Sequence, residues 1–102
     1  MAKLKKRLPP VHPGEILLEE FMRPLGISAN KLARDLGVPS NRIVAIVNAK
    51  RAISADTALR LARYFNSTPD FWMNLQARYD LQQAEDELSE AITRTVRPRT
   101  AA

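Results

Sequence analysis

A short run of hydrogen-bonding residues stands near the middle of the chain. Ser40, Asn41 and Arg42 follow one another, and the small apolar residues Val44 and Ala45 come after one intervening isoleucine. An asparagine amide pairs with adenine through two hydrogen bonds, an arginine pairs with guanine or with a phosphate, and small apolar groups contact the methyl group of thymine. These residues therefore have the chemistry needed to contact bases in the major groove of DNA.

Two groups of residues on either side of this run have the chemistry to hold phosphates. Ser28 and Ala29 stand at the predicted start of a helix, where unpaired backbone N–H groups and the positive end of the helix dipole attract anions. Asn48, Lys50 and Arg51 supply an amide and two cations beyond the run. Each residue taken singly could be an ordinary exposed residue, but their consistent spacing within one basic segment favours the joint interpretation.

The chain offers few groups for catalysis or metal binding. It has one histidine, His12, with no neighbouring serine or cysteine nucleophile, and it contains no cysteine. Its three glycines are isolated, so there is no glycine-rich phosphate loop. The acidic residues Glu85, Asp86, Glu87 and Glu90 diverge around a predicted helix, which favours a solvated face or an acidic surface for a basic partner. We therefore expect no enzymatic activity, no cofactor and no metal.

The base-contacting run is positioned by two short predicted helices. Ser28 is a suitable N-cap and Gly37 a suitable C-terminal residue for the first of them. Pro39 sits at the start of the second, whose inward residues include Ile43 and Ile46. The apolar run around these isoleucines could also form a buried strand, but the chain has no second strand-like run to pair with it. A helix is therefore the preferred interpretation.

Residues 28–48 fit the helix-turn-helix motif, in which the second helix enters the major groove with its N-terminus first. Three more helices are predicted around it. The first is opened by Pro13 and Gly14 and stopped by Pro24 and Gly26, the fourth begins after Ser54, and the fifth begins after Thr68. The predicted inward faces are Leu17, Phe21 and Leu25 in the first helix, Ala58, Leu61, Ala62 and Phe65 in the fourth, and Phe71, Leu75 and Tyr79 in the fifth, with Trp72 also expected in the core.

The charge is unevenly distributed. The 102-residue chain has a net charge of +5. Residues 25–66 contain seven basic and two acidic residues, whereas residues 69–92 have a net charge of −5. The basic middle segment therefore favours a polyanionic partner. We expect one domain, with a basic flexible arm at 1–11, a DNA-binding domain at 12–81 and a helical extension with a frayed tail at 82–102. The longest apolar run is too short to span a membrane, and the composition suits the cytoplasm.

Three stretches of the sequence resemble one family. HPGEILLEEFMRPLGIS, KLARDLGVPSNRIVAIVNAKRAIS and ALRLARYFNSTPDFWMNLQARYDL are similar to the HigA-type antitoxins, a branch of the XRE-type helix-turn-helix repressors. The resemblance covers about His12 to Leu81. It implies an all-α, compact five-helix repressor-like domain, to which a short sixth helix in the C-terminal extension would be an addition.

The resemblance also implies function and partners. It implies a homodimeric repressor that binds double-stranded operator DNA, usually at its own promoter. It also implies a partner, a RelE-like, HigB-type toxin that cuts mRNA and is neutralised by complex formation. Ala29 and Ala49 depart from the family pattern, which often has glutamine and glycine there. The base-contacting positions implied are Ser40, Asn41 and Ala45, with Arg42 near backbone or base, and the phosphate positions implied are Ser28, Ala29, Asn48 and Lys50.

Dimerisation is also suggested by apolar residues outside the predicted core. Ala84, Leu88, Ala91 and Ile92 form a thin stripe on the extension, and Ile16 and Met22 sit off the main face of the first helix. The competing interpretation of the whole chain is a stand-alone prophage or plasmid transcriptional regulator without a toxin partner, or a solitary protein-interaction adaptor.

Overall fold

The computed structural model describes residues 8–100, and within that range it contains five helices and no strand. Helix α1 consists of three consecutive segments, the α-helical Pro13–Ile16, the π-helical Leu17–Met22 and the α-helical Arg23–Leu25. The predicted all-α fold is confirmed. Residues 1–7 of the predicted basic arm, and the last two residues of the predicted frayed tail, lie outside the described range. The other helices are α2 Ala29–Leu36, α3 Ser40–Val47, α4 Ala55–Phe65 and α5 Pro69–Thr95.

The helix ends follow the local chemistry of the sequence. Gly37 ends α2 in the left-handed conformation, at a φ of 73°, as expected for a residue without a Cβ. Pro39 occupies the N-cap position of α3, one residue before the first helical position, where the sequence placed it. The three predicted side-chain caps are confirmed, since Ser28, Ser54 and Thr68 accept hydrogen bonds from the backbone N–H groups of Lys31, Thr57 and Phe71.

The inward face of α1 differs from the prediction. Pro24 does not stop the helix, which continues to Leu25 and ends at Gly26 in the left-handed conformation. Leu25 is 63% exposed, whereas Leu17 and Met22 are buried. Residues five apart share a face in a π-helical segment. The apolar face of α1 therefore has the five-residue spacing of Leu17 and Met22 in place of the predicted four-residue spacing. The expectation that Met22 lies off the core face is therefore wrong.

Helix α5 is rotated relative to the predicted face. Trp72 is fully buried, as expected, and its indole N–H donates to the Ser67 hydroxyl at 2.9 Å. Phe71 was predicted to face the core but is 39% exposed. It lies at the edge of an aromatic cluster, 6.0 Å from Phe21 between ring centroids. The turn after Trp72 buries Gln76 instead of an apolar side chain.

The C-terminal extension continues α5 and does not form a separate sixth helix. The helix has 27 residues and is therefore about 40 Å long, and the molecule measures 54 × 32 × 21 Å. From position 85 onward almost every side chain is exposed, so this half of α5 contributes little to the core. No helix among residues 8–100 is long and apolar enough to cross a membrane.

Candidate nucleic-acid interface

Helix α3 has one face in the core and one in solvent. Ile43 and Ile46 are fully buried, whereas the apolar Val44 is 41% exposed on the opposite side. The exposed side holds the polar start of the helix, which has no acidic residue in its first turn. Of the predicted base-contacting residues, Ser40, Asn41 and Val44 are exposed, Ala45 is half-buried, and Arg42 is half-buried beside α4.

A close approach between two backbones seats α3 on α1. Gly14 is buried, and a Cβ added to it would lie 1.8 Å from the carbonyl oxygen of Ile46. Only glycine leaves room for that oxygen, because the obstructing atom belongs to backbone and not to a flexible side chain. The first turn of α1 therefore fixes the depth at which α3 sits, and with it how far the exposed face of α3 projects.

Ion pairs connect the start of α3 to α4, and a hydrogen bond connects α4 to α2. The Arg42 guanidinium binds the Asp56 carboxylate and lies 3.4 Å from the Thr57 hydroxyl. Arg60 binds the same carboxylate at 3.1 Å and also donates to the carbonyl of Leu36, the last residue of α2, at 2.8 Å. Hydrogen bonds from the two arginines, Arg42 first, hold the pKa of Asp56 below its ordinary value. Asp56 is thus ionised at neutral pH.

The predicted phosphate-binding residues lie at two helix ends. Ser28 caps α2, and Ala29 is its half-buried first residue. Asn48 follows the last residue of α3 as its C-cap, and Lys50 and Arg51 are exposed in the turn beyond it. Within residues 8–100, neither of these two cations forms an ion pair. Both are therefore available to a phosphate from outside the molecule.

The turn after α3 is held in place from both of its ends. Ala49 adopts the left-handed conformation at a φ of 61°, although this conformation favours glycine over alanine. The N–H of Lys50 donates to the carbonyl of Ala45 at 2.8 Å, which closes the end of the helix. Further on, the Ile53 N–H donates at 2.8 Å to the side chain of buried Gln76 in α5. The segment bearing the exposed cations is thereby fixed relative to α5.

Sequence reasoning missed three residues that position this interface: Gly14, Asp56 and Gln76. Gly14 was interpreted only as a helix-opening residue, and the other two carried no interpretation. Gln76 lies one helical turn after Trp72, which was expected in the core. A hydrophilic residue on that face is a signal that would have singled out Gln76, because buried amides are kept for a hydrogen bond. The partners of Asp56 lie on other helices, so the sequence held no comparable signal for it. Within the described residues there is no cluster of three or more side chains suited to a metal ion.

Comparison with known proteins identifies the class. The family described as Helix-turn-helix matches residues 18–72. Virulence-associated protein I of Dichelobacter nodosus is 51% identical over 83 residues, which are 81% of this chain and 77% of that protein. The chain therefore belongs to the helix-turn-helix family, in the branch of the HigA-type antitoxins.

Two solved structures support the assignment to the HigA-type branch. One is an addiction module antidote protein of the HigA family from Coxiella burnetii, with a TM-score of 0.86 and 49% identity, covering 90% of this chain and 100% of that one. The other is the antitoxin HigA of Pseudomonas aeruginosa with the higBA promoter, with a TM-score of 0.87 and 44% identity, covering 89% and 99%. At these identities the similarity to both structures includes the amino-acid sequence as well as the fold.

Proposed function

We propose that this protein is a dimeric antitoxin that binds operator DNA through the exposed face of α3. Ser40, Asn41, Val44 and Ala45 would contact base edges, and backbone phosphates would be held by the set Ser28, Ala29, Asn48, Lys50 and Arg51. Arg42, which the sequence placed among the base-contacting residues, is left out because its guanidinium is bound to Asp56. The bases would be contacted by short side chains only.

The observation that carries the proposal is the division of α3 into two faces. A helix of eight residues buries its isoleucines completely while it leaves Asn41 and Val44 in solvent. An exposed β-branched apolar residue beside an exposed amide suits contact with a thymine methyl and an adenine edge. The Pseudomonas aeruginosa relative, whose structure was solved with its promoter, supports the assignment to DNA.

A binding measurement with the chain's own upstream DNA tests the proposal. Fluorescence anisotropy would compare that DNA with a scrambled duplex of equal length and composition, at one stated salt concentration. Asn41→Ala is expected to cost about 1–3 kcal/mol of binding free energy on the operator, since one paired base contact is lost. Asn74→Ala is the matched control, because Asn74 is an exposed asparagine on α5. Equal binding of both duplexes by the wild-type protein would refute operator recognition.

The exposed apolar stripe on the C-terminal half of α5 is the proposed dimer surface. Leu81, Leu88 and Ile92 are 62%, 48% and 49% exposed on one side of the helix, and the half-buried Ala84 and Ala91 lie between them. Apolar side chains repeating at three and four residues favour helix–helix packing. Two copies joined here would have to place their α3 helices about 34–36 Å apart to reach successive major grooves. Light scattering at micromolar concentration should give twice the monomer mass of 11.5 kDa.

Toxin neutralisation is the second part of the proposed function. It is supported by the likeness to an addiction module antidote protein and by the acidic character of α5, which suits a basic, RNA-cleaving partner. The test is co-expression with the neighbouring reading frame. A short basic product that stays bound through purification supports an antitoxin, whereas a neighbour that does not bind favours the stand-alone regulator. The family is one of DNA-binding regulators, and we propose a non-enzymatic role in the cytoplasm.

A further inference from the structure

The side chain of Arg42 is engaged on the inner side of α3. One of its terminal nitrogens binds the Asp56 carboxylate and approaches the Thr57 hydroxyl, and the side chain is only 22% exposed. Its Nε atom is fully buried and has no hydrogen-bond partner. A guanidinium that binds guanine or phosphate presents two N–H groups outward in a fork. In this geometry Arg42 cannot present such a fork to DNA.

Asp56 is firmly held in the position that captures Arg42. It is the second residue of α4, after the N-cap Ser54, where the helix dipole favours a carboxylate. Arg60 binds the same carboxylate oxygen and is itself anchored on the carbonyl of Leu36. The carboxylate therefore stays in place between two cations, and Arg42 is the one that belongs to the helix at the proposed interface.

We propose that Asp56 withholds Arg42 from DNA and is a specificity-determining residue of this protein. The inference rests on the proposed function, because it assumes that α3 enters the major groove. An arginine at the start of that helix would bind any phosphate within reach, and phosphate contacts carry no sequence information. With Arg42 withheld, α3 meets the DNA with the short side chains that distinguish bases. Releasing Arg42 raises the affinity for all DNA and lowers the ratio of operator to non-specific affinity.

The test removes the carboxylate with almost no change in shape. Asp56→Asn is expected to steepen the plot of log K against log salt concentration, measured on scrambled DNA, by about 0.9, which corresponds to one added phosphate contact. The ratio of operator to scrambled affinity falls at the same time. Asp70→Asn is the matched control, since Asp70 is the second residue of α5 after the N-cap Thr68 and is also the acidic residue of its first turn.

A double-mutant cycle identifies Arg42 as the released group. In an Arg42→Met background, Asp56→Asn should leave the salt slope unchanged. Equal steepening by Asp70→Asn would show a general charge effect and overturn the proposal, as would an effect of Asp56→Asn that persists without Arg42. Asp56→Ser, whose folding is checked with that of Asp56→Asn by thermal unfolding, must give the same steepening.

The same experiment separates two kinds of failure. A wild-type protein that binds operator and scrambled DNA equally refutes the proposed function and the inference with it. A wild-type protein that prefers the operator, together with an Asp56→Asn variant of unchanged salt slope, refutes the inference alone.

Discussion

Replacing Gly14 by alanine tests whether α1 sets the position of α3, the helix proposed to contact DNA. The added Cβ would lie 1.8 Å from the Ile46 carbonyl oxygen and 2.6 Å from its carbonyl carbon. Since real Cβ atoms stay at least about 3 Å from such atoms, α1 and α3 must separate by roughly 1 Å. Forcing extra volume into a packed site typically lowers the free energy of unfolding by about 1–3 kcal/mol. The loss should lie at the upper end of that range here, because a backbone carbonyl cannot rotate away as a side chain can.

The matched control is Gly26→Ala. No atom lies within 4 Å of the Cβ position at Gly26, but its φ is +64°, so the variant isolates the conformational cost of a left-handed alanine, about 1 kcal/mol. A change of 1 kcal/mol shifts the melting temperature of a domain this size by about 4–8 °C. We therefore expect a fall of about 12–24 °C for Gly14→Ala and about 4–8 °C for Gly26→Ala.

Thermal unfolding and operator binding measured on the same samples decide the outcome. Because Gly14→Ala displaces α3, the variant should also bind the operator less tightly at a temperature where it is fully folded. Gly26→Ala leaves α3 in place and should keep its affinity. A Gly14→Ala protein that melts no lower than Gly26→Ala, or that melts lower but binds the operator normally, would refute the argument that this backbone contact seats α3.

Two further predictions concern phosphate contacts and pH. Arg51→Ala should make the salt slope of operator binding shallower by about 0.9, as expected for one lost phosphate contact. Arg94→Ala, which removes the same charge from the far end of α5, should leave the slope unchanged, and equal changes would remove Arg51 from the interface. The Nδ1 atom of His12 accepts a hydrogen bond from the Gly14 N–H at 2.9 Å, and burial lowers the pKa of His12 although Asp80 opposes the shift. The unfolded chain therefore binds a proton more readily than the folded one, so the unfolding free energy should be constant above about pH 7 and fall as the pH drops below about 6.5. Urea unfolding at pH 7.5, 6.5 and 5.5 measures this fall, which should be absent in His12→Asn, because an asparagine side chain can also cap the helix; a fall of equal size in that variant would assign it to other groups.

The parts of the fold that the sequence predicted correctly depend on neighbouring residues. Ser28 caps α2 through an N–H three residues away, and Gly37 ends the same helix because of its own backbone freedom. The exposed position of Asn41 and Val44 follows from the helical period once Ile43 is assigned to the core. Interactions of this range are present in any helix with these residues, so they can be recognised without the tertiary structure.

The parts that the sequence did not predict depend on contacts between distant segments. The inward face of α1 changed because a π-helical turn places Met22 in the core. Such a turn changes the spacing on which sequence interpretation relies. Phe71 was assigned to the core with Leu75 and Tyr79 because the three repeat at helical spacing, and its neighbour Trp72 was expected there too. Only the packing of α5 against the body decides which of the two is covered.

The helices, the polar start of α3 and the family to which the chain belongs could be predicted from the sequence, since each depends on residue types at short spacing. Which of those polar residues are exposed depends instead on how the helices pack against one another. Arg42 has the right chemistry and position along the chain, yet Asp56 lies 14 residues further on and captures it. Gly14 and Ile46 meet in the same way across 32 positions. Folding brings such pairs together through the packing of whole helices, and no local pattern in the sequence records it.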